Sequence, residues 1–393
     1  MAVWVGCLWA TINALHLIFW ANGHPQPLVL YALPMGVLLY QSLVRRHLGL
    51  GLLLCVLIIF VAITLNHPVT EWDARSIWMF HAKRIFLGQS LYTQLDNYAP
   101  WSHGDYPVGV PAIAASLAAN LGHWNEIVPR SAAAIALAPP LFFGAYFFRS
   151  FWSICAWVAL LMLVCWDEML TGYMDTLVAA NFAIALLAVT GIYRTRVTAT
   201  HGPSTSPLWW VLSFSLLGLF FTKNEGMVAS LLVMVSLLPV VFGQPRKTVF
   251  LLWPLLLYGV IWKWPVMRSS VATDLVQQSG LLQRGWSRLS HADDVFMILY
   301  FFKESSLAYL GIFAALLAVA ALWRQRCGAW LPALLCVAAY TGSLFVAFLT
   351  TYHELHWHLT TAADRVFMAF NVATVALLLY LIESRSSRLL GTR

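Results

Sequence analysis

The sequence predicts an all-α polytopic membrane protein with about 12 transmembrane helices. Hydrophobic residues make up 61% of the 393 positions, and charged residues make up only 10%. Apolar stretches long enough to cross a bilayer as helices recur along the chain, and the breaks on one side of the predicted membrane are enriched in basic residues. So little charge cannot cover a soluble domain with polar side chains. We therefore predict one membrane-embedded domain over residues 1–393.

Each predicted span is an apolar stretch bounded by polar or basic residues. The 12 spans cover residues 4–20, 28–44, 50–66, 127–148, 151–166, 177–193, 208–222, 226–242, 248–265, 305–323, 329–350 and 363–382. The first two, within residues 1–48, form an extra helix pair ahead of the first long loop. Because the chain begins without a basic leader or a small-residue cleavage site, the first span is predicted to be retained.

The charged residues divide unequally between the two sides of this threading. The side with both termini receives 12 of the 23 Lys and Arg but only Glu383 of the 16 acids, which leaves +11 there and −4 on the other side. Lys and Arg are enriched in short cytoplasmic loops. We therefore predict an inner (plasma) membrane protein of the cell envelope with both termini cytoplasmic. The net charge of +7 reflects this topology, and no basic stripe indicates nucleic-acid binding.

The first long outer loop, residues 67–126, carries the first candidate catalytic residues. Its segment TEWDARSIWMFHAKRIF places Glu71 and Asp73 just after a span, followed by the basic pair Lys83 and Arg84. A half-buried carboxylate beside cations is a candidate general base, because burial and neighbouring charges move its pKa in opposite directions. An interfacial network of ion pairs is an equally good alternative on spacing alone.

A second part of this loop, residues 105–121, is apolar enough to resemble a span. Counting it as a span would invert the sidedness of every later loop. Its two prolines and the small residues after them suit a segment packed in protein rather than in lipid. We therefore predict an interfacial or re-entrant helix there.

Two further groups of charged residues lie at predicted outer helix ends. Asp167, Glu168 and Asp175 surround a glycine in CWDEMLTGYMDT, and the simpler alternative is a solvated turn followed by a helix cap. Lys223 and Glu225 lie in TKNEG, a tight loop between two spans. An ammonium beside helix N-terminal amides suits a phosphate, and the alternative is a weak surface ion pair.

The segment TYHELHWHLTTAADRVF holds His353, His356 and His358 ahead of Asp364 and Arg365. The histidine spacing suggests zinc, but neither helical nor strand periodicity brings the three imidazoles together, and no fourth ligand is visible. We therefore predict no metal or other cofactor, while divalent-metal use stays open. Arg365 is the stronger candidate, since a guanidinium at membrane depth suits a lipid phosphate.

The order of these features is similar to that of one family. An acidic motif follows a span, and then come a Tyr-Pro interfacial helix, GHWNEIVPR, Gly-Tyr-x-Asp, Lys-Asn-Glu-Gly and a late Asp-Arg. In this order the chain resembles the GT-C glycosyltransferases, and most of all the bacterial branch related to protein O-mannosyltransferases and to the aminoarabinose transferase of lipid A. The resemblance covers Leu50 to about Tyr193 well and the rest loosely.

The resemblance implies sugar transfer, with inversion, from a polyprenyl-phosphate donor to a glycan, lipid or protein acceptor on the outer face, among membrane lipids. Carried over, Asp73 is the base, and Glu71 assists by hydrogen bonding or by orienting the acceptor. The implied ligands of the donor phosphate are Lys83, Arg84, Lys223 and Arg365, and the implied substrate-binding residues are Asp175, Tyr106, Glu225 and His103. The family's acidic pair is commonly adjacent, whereas Glu-Trp-Asp here leaves the division of roles open.

A transporter or flippase of a lipid-linked saccharide is the alternative. Transporters often carry charges in mid-span and have internal symmetry. In this sequence the charges gather at predicted outer helix ends, and no internal repeat is detectable. The enzyme is therefore the favoured hypothesis.

Overall fold

In the computed structural model of the protein, residues 1–45, 47–198, 207–269, 271, 280–306 and 329–389 are described. Regular structure in these residues is entirely helical, which confirms the predicted all-α class. Among them, nine helices are long and apolar enough to cross a membrane. The chain is therefore a multi-pass membrane protein.

Most of the described helices follow one another with short connections. In chain order they are α1 (Ala2–Ala21), α2 (Leu28–Val44), α3 (Leu48–Asn66), α4 (Phe80–Gly88), α5 (Gly109–Leu121), α6 (Val128–Phe147), α7 (Phe151–Thr171), α8 (Asp175–Thr198), α9 (Pro207–Phe220), α10 (Asn224–Val241), α11 (Pro245–Arg268), α12 (Leu281–Leu289), α13 (Ala292–Ser305), α14 (Leu331–Thr350) and α15 (Leu355–Leu389). Long apolar runs form helices because a backbone in lipid must satisfy its hydrogen bonds internally.

Predicted and described helices agree closely. Nine predicted spans correspond to the long apolar helices, and those at 28–44 and 208–222 correspond to the shorter α2 and α9. The predicted span at 305–323 lies almost entirely outside the described residues, so the total of 12 stays a prediction. Helix α5, with 13 residues, is too short to cross a hydrocarbon core of about 30 Å. Its length therefore agrees with the predicted interfacial or re-entrant helix.

Helix α8 lies at the centre of the bundle. Of its most apolar 18 residues, 94% are buried. The helices that pack around it are α6, α7, α9, α10, α14 and α15. Small buried side chains such as Ala179, Ala183 and Ala188 allow these neighbours to approach closely. Because α8 begins at Asp175, this carboxylate is held by the central helix.

The bundle has two ends with different contents. In the last two turns of α15, Glu383 accepts hydrogen bonds from the backbone N–H groups of Arg149 and Ser150 and from the hydroxyl of Ser153, at the start of α7. We call the opposite end, where α8 and α10 begin, the site end. Side chains from several predicted outer loops meet there, and which end faces the cytoplasm stays a prediction.

The N-terminal helices α1 and α2 are part of the core. A ring nitrogen of His16 in α1 lies 2.8 Å from the hydroxyl of Ser116 in α5, and the other lies 3.0 Å from the hydroxyl of Tyr31 in α2. At the start of α5, the N–H of Gly109 donates to the carbonyl of Phe221, in the turn between α9 and α10. The predicted extra helix pair therefore supports α5, and α5 supports that turn.

Candidate functional site

Three ion-pair contacts at the site end involve five residues, Asp73, Arg365, Asp175, Lys223 and Glu225, which we call the charge cluster. Nη1 of Arg365 lies 2.6 Å from Oδ2 of Asp73. Nζ of Lys223 lies 2.9 Å from Oδ1 of Asp175 and 3.3 Å from Oε1 of Glu225. Asp73 and Arg365 are 292 positions apart in the sequence. The fold therefore assembles this cluster from four separate segments.

Lys223 and Glu225 are placed by the tight turn between α9 and α10. A Cβ at Gly226 would clash with the carbonyl oxygen of Leu219, so the turn requires glycine there. The Lys223 side chain is only 8% exposed. Burial alone would lower the pKa of Lys223, but the carboxylates of Asp175 and Glu225 outweigh burial and raise it. The alternative of a weak surface pair is therefore wrong, because Lys223 is buried and its shortest contact is with Asp175.

Tyr173 and Asp175 are placed by the break between α7 and α8. Gly172 ends α7 in a left-handed conformation with φ of 93°, and the N–H groups of Gly172 and Tyr173 donate to the carbonyl of Glu168. A Cβ at Gly172 would lie 3.0 Å from Cβ of Ala74, so glycine also lets this break approach the loop after α3. The Gly-Tyr-x-Asp motif therefore makes the turn and supplies two side chains to the site end.

Arg365 lies ten residues into α15, about 15 Å from the start of the helix. Its Nε donates to the carbonyl of Thr361, and its guanidinium carbon lies 4.2 Å from the ring centroid of Tyr173. The side chain is 17% exposed. Among the described residues, Nη2 of Arg365 has no hydrogen-bond partner. Three contacts therefore fix the guanidinium and leave N–H groups for a ligand.

Asp73 and Glu71 follow α3 and reach the site end from the first long loop. Asp73 precedes a π-helical turn, Ala74–Met79, that leads into α4, and such wide turns are frequent at functional sites. The intervening Trp72 is 66% exposed. The hydroxyl of Tyr173 donates to Oε2 of Glu71 at 3.3 Å. Glu71 therefore contacts the ring residue, and Asp73 the guanidinium, of the stacked Tyr173–Arg365 pair.

A further carboxylate, Asp105, lies beside the charge cluster and is 1% exposed. Its Oδ2 accepts a hydrogen bond from Nδ2 of Asn224 at 3.2 Å, and its backbone carbonyl accepts one from Trp262. The rings of His103 and Tyr106, both predicted to bind substrate, stack with centroids 4.7 Å apart. In the sequence these two residues lie on either side of Asp105, whose carboxylate contacts the first residue of α10.

Lys83 and Arg84 belong to a different group, the surface cluster, which also contains Glu126, Gln94 and Tyr98. Nζ of Lys83 lies 3.7 Å from Oε1 of Glu126, and these side chains are 49% and 60% exposed. Arg84 donates to Gln94, and its guanidinium lies 4.7 Å from the ring centroid of Tyr98. The structure therefore does not bring these two cations together with the two of the charge cluster, although the family resemblance implies all four as ligands of the donor phosphate. Helix α4 instead buries Ala82 and Ile85 and turns the basic side chains outward.

The three late histidines lie around the start of α15. The rings of His353 and His358 are 5.3 Å apart, whereas His356 packs against Phe301. Nη2 of Arg288 donates to the carbonyl of His353. Within the described ranges, no group of three His, Cys, Asp or Glu side chains is placed to hold a metal ion. These histidines therefore contribute to contacts between α13, α14 and α15.

The charge cluster can bind an anion and accept a proton. Together with Glu71, four carboxylates face two cations. Lys223 is engaged by two of those carboxylates, and Arg365 is the more exposed cation. Oδ1 of Asp73 has no hydrogen-bond partner in the part of the chain that is described. Arg365 can therefore hold an anionic group while Asp73 takes a proton.

No protein-family model, curated protein or solved structure matches this chain.

Two residues of the site end are not singled out by sequence reasoning, Tyr173 and Asp105. The Gly-Tyr-x-Asp motif is a signal for Tyr173, because a residue between a helix-ending glycine and a charged helix start lies at a helix end. Asp105 has no comparable signal, since its contact with Asn224 joins residues 119 positions apart.

Proposed function

We propose that the protein is a glycosyltransferase that moves a sugar from a polyprenyl-phosphate donor to an acceptor hydroxyl at the extracytoplasmic face of the plasma membrane. The observation that carries the proposal is the pairing of Asp73 with Arg365, over Tyr173, at one end of an apolar helix bundle. A carboxylate beside a guanidinium supplies a proton acceptor and a phosphate ligand in one place. In this proposal the site end faces outward, as the distribution of Lys and Arg predicts.

In the proposed reaction, Asp73 takes the proton of the acceptor hydroxyl as the hydroxyl oxygen attacks the anomeric carbon. The bond between the anomeric carbon and the phosphate oxygen breaks on the opposite face, so the configuration inverts. The leaving polyprenyl phosphate gains negative charge, which the N–H groups of Arg365 stabilise. Glu71, held by the hydroxyl of Tyr173, orients the acceptor.

The buried pair of Asp175 and Lys223 supports this arrangement. Both side chains are more than nine-tenths buried, and a charge at that depth is costly unless it is paired. Because Lys223 is engaged by Asp175 and Glu225, we assign the donor phosphate to Arg365. The three paired residues then form the floor of the site.

A transporter or flippase of a lipid-linked saccharide is the second candidate. The buried pair of Asp175 and Lys223 favours it, because intramembrane ion pairs often mark transport paths. The enzyme is preferred because the pair lies where α8 begins, at one end of the bundle rather than at mid-depth.

The test uses the purified full chain in proteoliposomes with radiolabelled polyprenyl-phosphate sugars. Release of free polyprenyl phosphate by the wild type and by Glu126→Gln, but not by Asp73→Asn, supports the enzyme. Parallel reactions contain EDTA or Mg²⁺, because an excess of carboxylates attracts divalent cations. Movement of intact donor across the bilayer without cleavage contradicts the enzyme and supports a flippase.

A further inference from the structure

Tyr173 is the one residue of the described site end that contacts both the Asp73–Arg365 pair and the second carboxylate of the Glu-Trp-Asp motif. Its ring centroid lies 4.2 Å from the guanidinium carbon of Arg365. Its hydroxyl lies 3.3 Å from Oε2 of Glu71. Tyr173 thus links a group assigned to the donor with a group assigned to the acceptor.

We propose that Tyr173 is a positioning residue with two separable roles: its ring sets the plane of Arg365 for the donor phosphate, and its hydroxyl sets the carboxylate of Glu71 for the acceptor. This inference rests on the proposed function and specifies how the same site is organised.

The ring role follows from how a guanidinium is held. Arg365 has a carbonyl contact at Nε and a carboxylate contact at Nη1, and both lie at the edge of the guanidinium group. An aromatic ring against one face removes the remaining freedom to rotate and adds a cation–π attraction. A guanidinium held in this way presents its free N–H edge in a fixed direction.

The hydroxyl role follows from the chemistry of the two groups. Burial raises the pKa of Tyr173 to about 12, so the phenol stays protonated and donates to Glu71 at physiological pH. The distance of 3.3 Å is longer than an ordinary O–H···O hydrogen bond. Catalytic hydrogen bonds are often long before substrate binds and shorten in the complex. The contact is therefore placed to tighten when an acceptor reaches Glu71.

The backbone at Tyr173 is held in place by its neighbours, so the position of the side chain is restricted. Its N–H and that of Gly172 both donate to the carbonyl of Glu168, and the chain enters α8 two residues later. The approach of Gly172 to Ala74 fixes the distance from this turn to the loop that carries both carboxylates.

The experiment compares Tyr173→Phe, Tyr173→Leu and a control, Tyr193→Phe, in the proteoliposome transfer assay. Tyr193 donates its hydroxyl to the carbonyl of Ser236 between α8 and α10, so the control loses a similar hydrogen bond away from the charge cluster. Tyr173→Phe should lower kcat about tenfold with the donor KM unchanged. Tyr173→Leu should also raise the donor KM about tenfold, because the platform under Arg365 is lost. The control should change neither value by more than about twofold.

Each other outcome overturns the inference. Wild-type kinetics for both Tyr173 variants would remove both roles. A purely structural role would be shown by the same change in kcat and the same change in donor KM for Tyr173→Phe and Tyr173→Leu, together with a lower thermal unfolding midpoint than that of the control. Absence of turnover by the wild type with every donor would instead overturn the proposed function, and this role with it.

Discussion

The charge cluster and the surface cluster contain the same kinds of side chain and are built in opposite ways. Asp175 and Lys223 lie 2.9 Å apart and are 5% and 8% exposed, whereas Lys83 and Glu126 lie 3.7 Å apart and are 49% and 60% exposed. Breaking a buried pair strands a charge away from water, while an exposed pair contributes little. In this protein, burial rather than residue type separates the cations of the charge cluster from those of the surface cluster.

The largest expected difference between the clusters is in transfer activity after one carboxylate charge is removed from each of them. Asp73→Asn should reduce sugar transfer by about 100-fold or more, because the proton acceptor is lost. Glu126→Gln should change transfer by no more than about twofold. Release of free polyprenyl phosphate in proteoliposomes measures both. Turnover by Asp73→Asn at the wild-type rate would sink the base assignment and the contrast.

Loss of a carboxylate should also lower protein stability more in the charge cluster than in the surface cluster. Asp175→Asn should lower the free energy of unfolding by about 3–5 kcal/mol, because Lys223 is left buried with a weaker set of partners. Glu126→Gln should lower it by less than about 1 kcal/mol. Thermal unfolding midpoints in one detergent rank the variants. Equal midpoints would mean that burial does not distinguish the two pairs.

Donor binding tests which cations touch the phosphate. Arg365→Ala should weaken the binding of polyprenyl phosphate by about 10- to 100-fold, because charge-assisted hydrogen bonds are lost. Lys83→Ala and Arg84→Ala should each change affinity by less than about threefold. Titration of the detergent-solubilised protein gives the three dissociation constants. A loss at Lys83→Ala as large as that at Arg365→Ala would extend the phosphate site to the surface cluster.

A smaller effect is expected in the pH dependence of stability. It arises at His81, which is buried on α4 two residues before the exposed Lys83. Burial lowers the pKa of His81 to about 4, and the ring donates to the carbonyl of Ser102. The unfolded chain, with a histidine pKa of about 6.5, binds more protons below that pH. The stability that neutral His81 contributes is therefore present above pH 6.5 and is lost as pH falls toward 4.

Between pH 7 and pH 5, this loss should be about 2 kcal/mol. His81→Gln should remove that part of the pH dependence, because glutamine does not titrate. Unfolding midpoints of the wild type and the variant at the two pH values measure the difference. Identical pH dependence in both proteins would show that His81 is not held neutral by burial.

Much of the fold follows from sequence because length and hydropathy determine a span when lipid is the solvent. The same apolar background makes charged residues at helix ends conspicuous, so all five residues of the charge cluster are predicted as site residues. Their partners are not predictable, since Asp73 meets Arg365 across 292 positions. The separation of Lys83 and Arg84 from the charge cluster is not predictable either, because only the packing of α4 decides which of its side chains face outward.

The contacts at the two ends of α7 have a consequence for how the protein responds to its bilayer. Glu383 joins α15 to the start of α7, and the ring of Tyr173 joins Arg365 to the other end of α7. With 21 residues, α7 spans about 31 Å, close to the thickness of a hydrocarbon core. In a thicker or thinner membrane, hydrophobic mismatch therefore acts on α7 and α15 together, because contacts join them near both ends of α7. We therefore expect tilting of the whole bundle, rather than sliding of α7 along α15, to accommodate the mismatch.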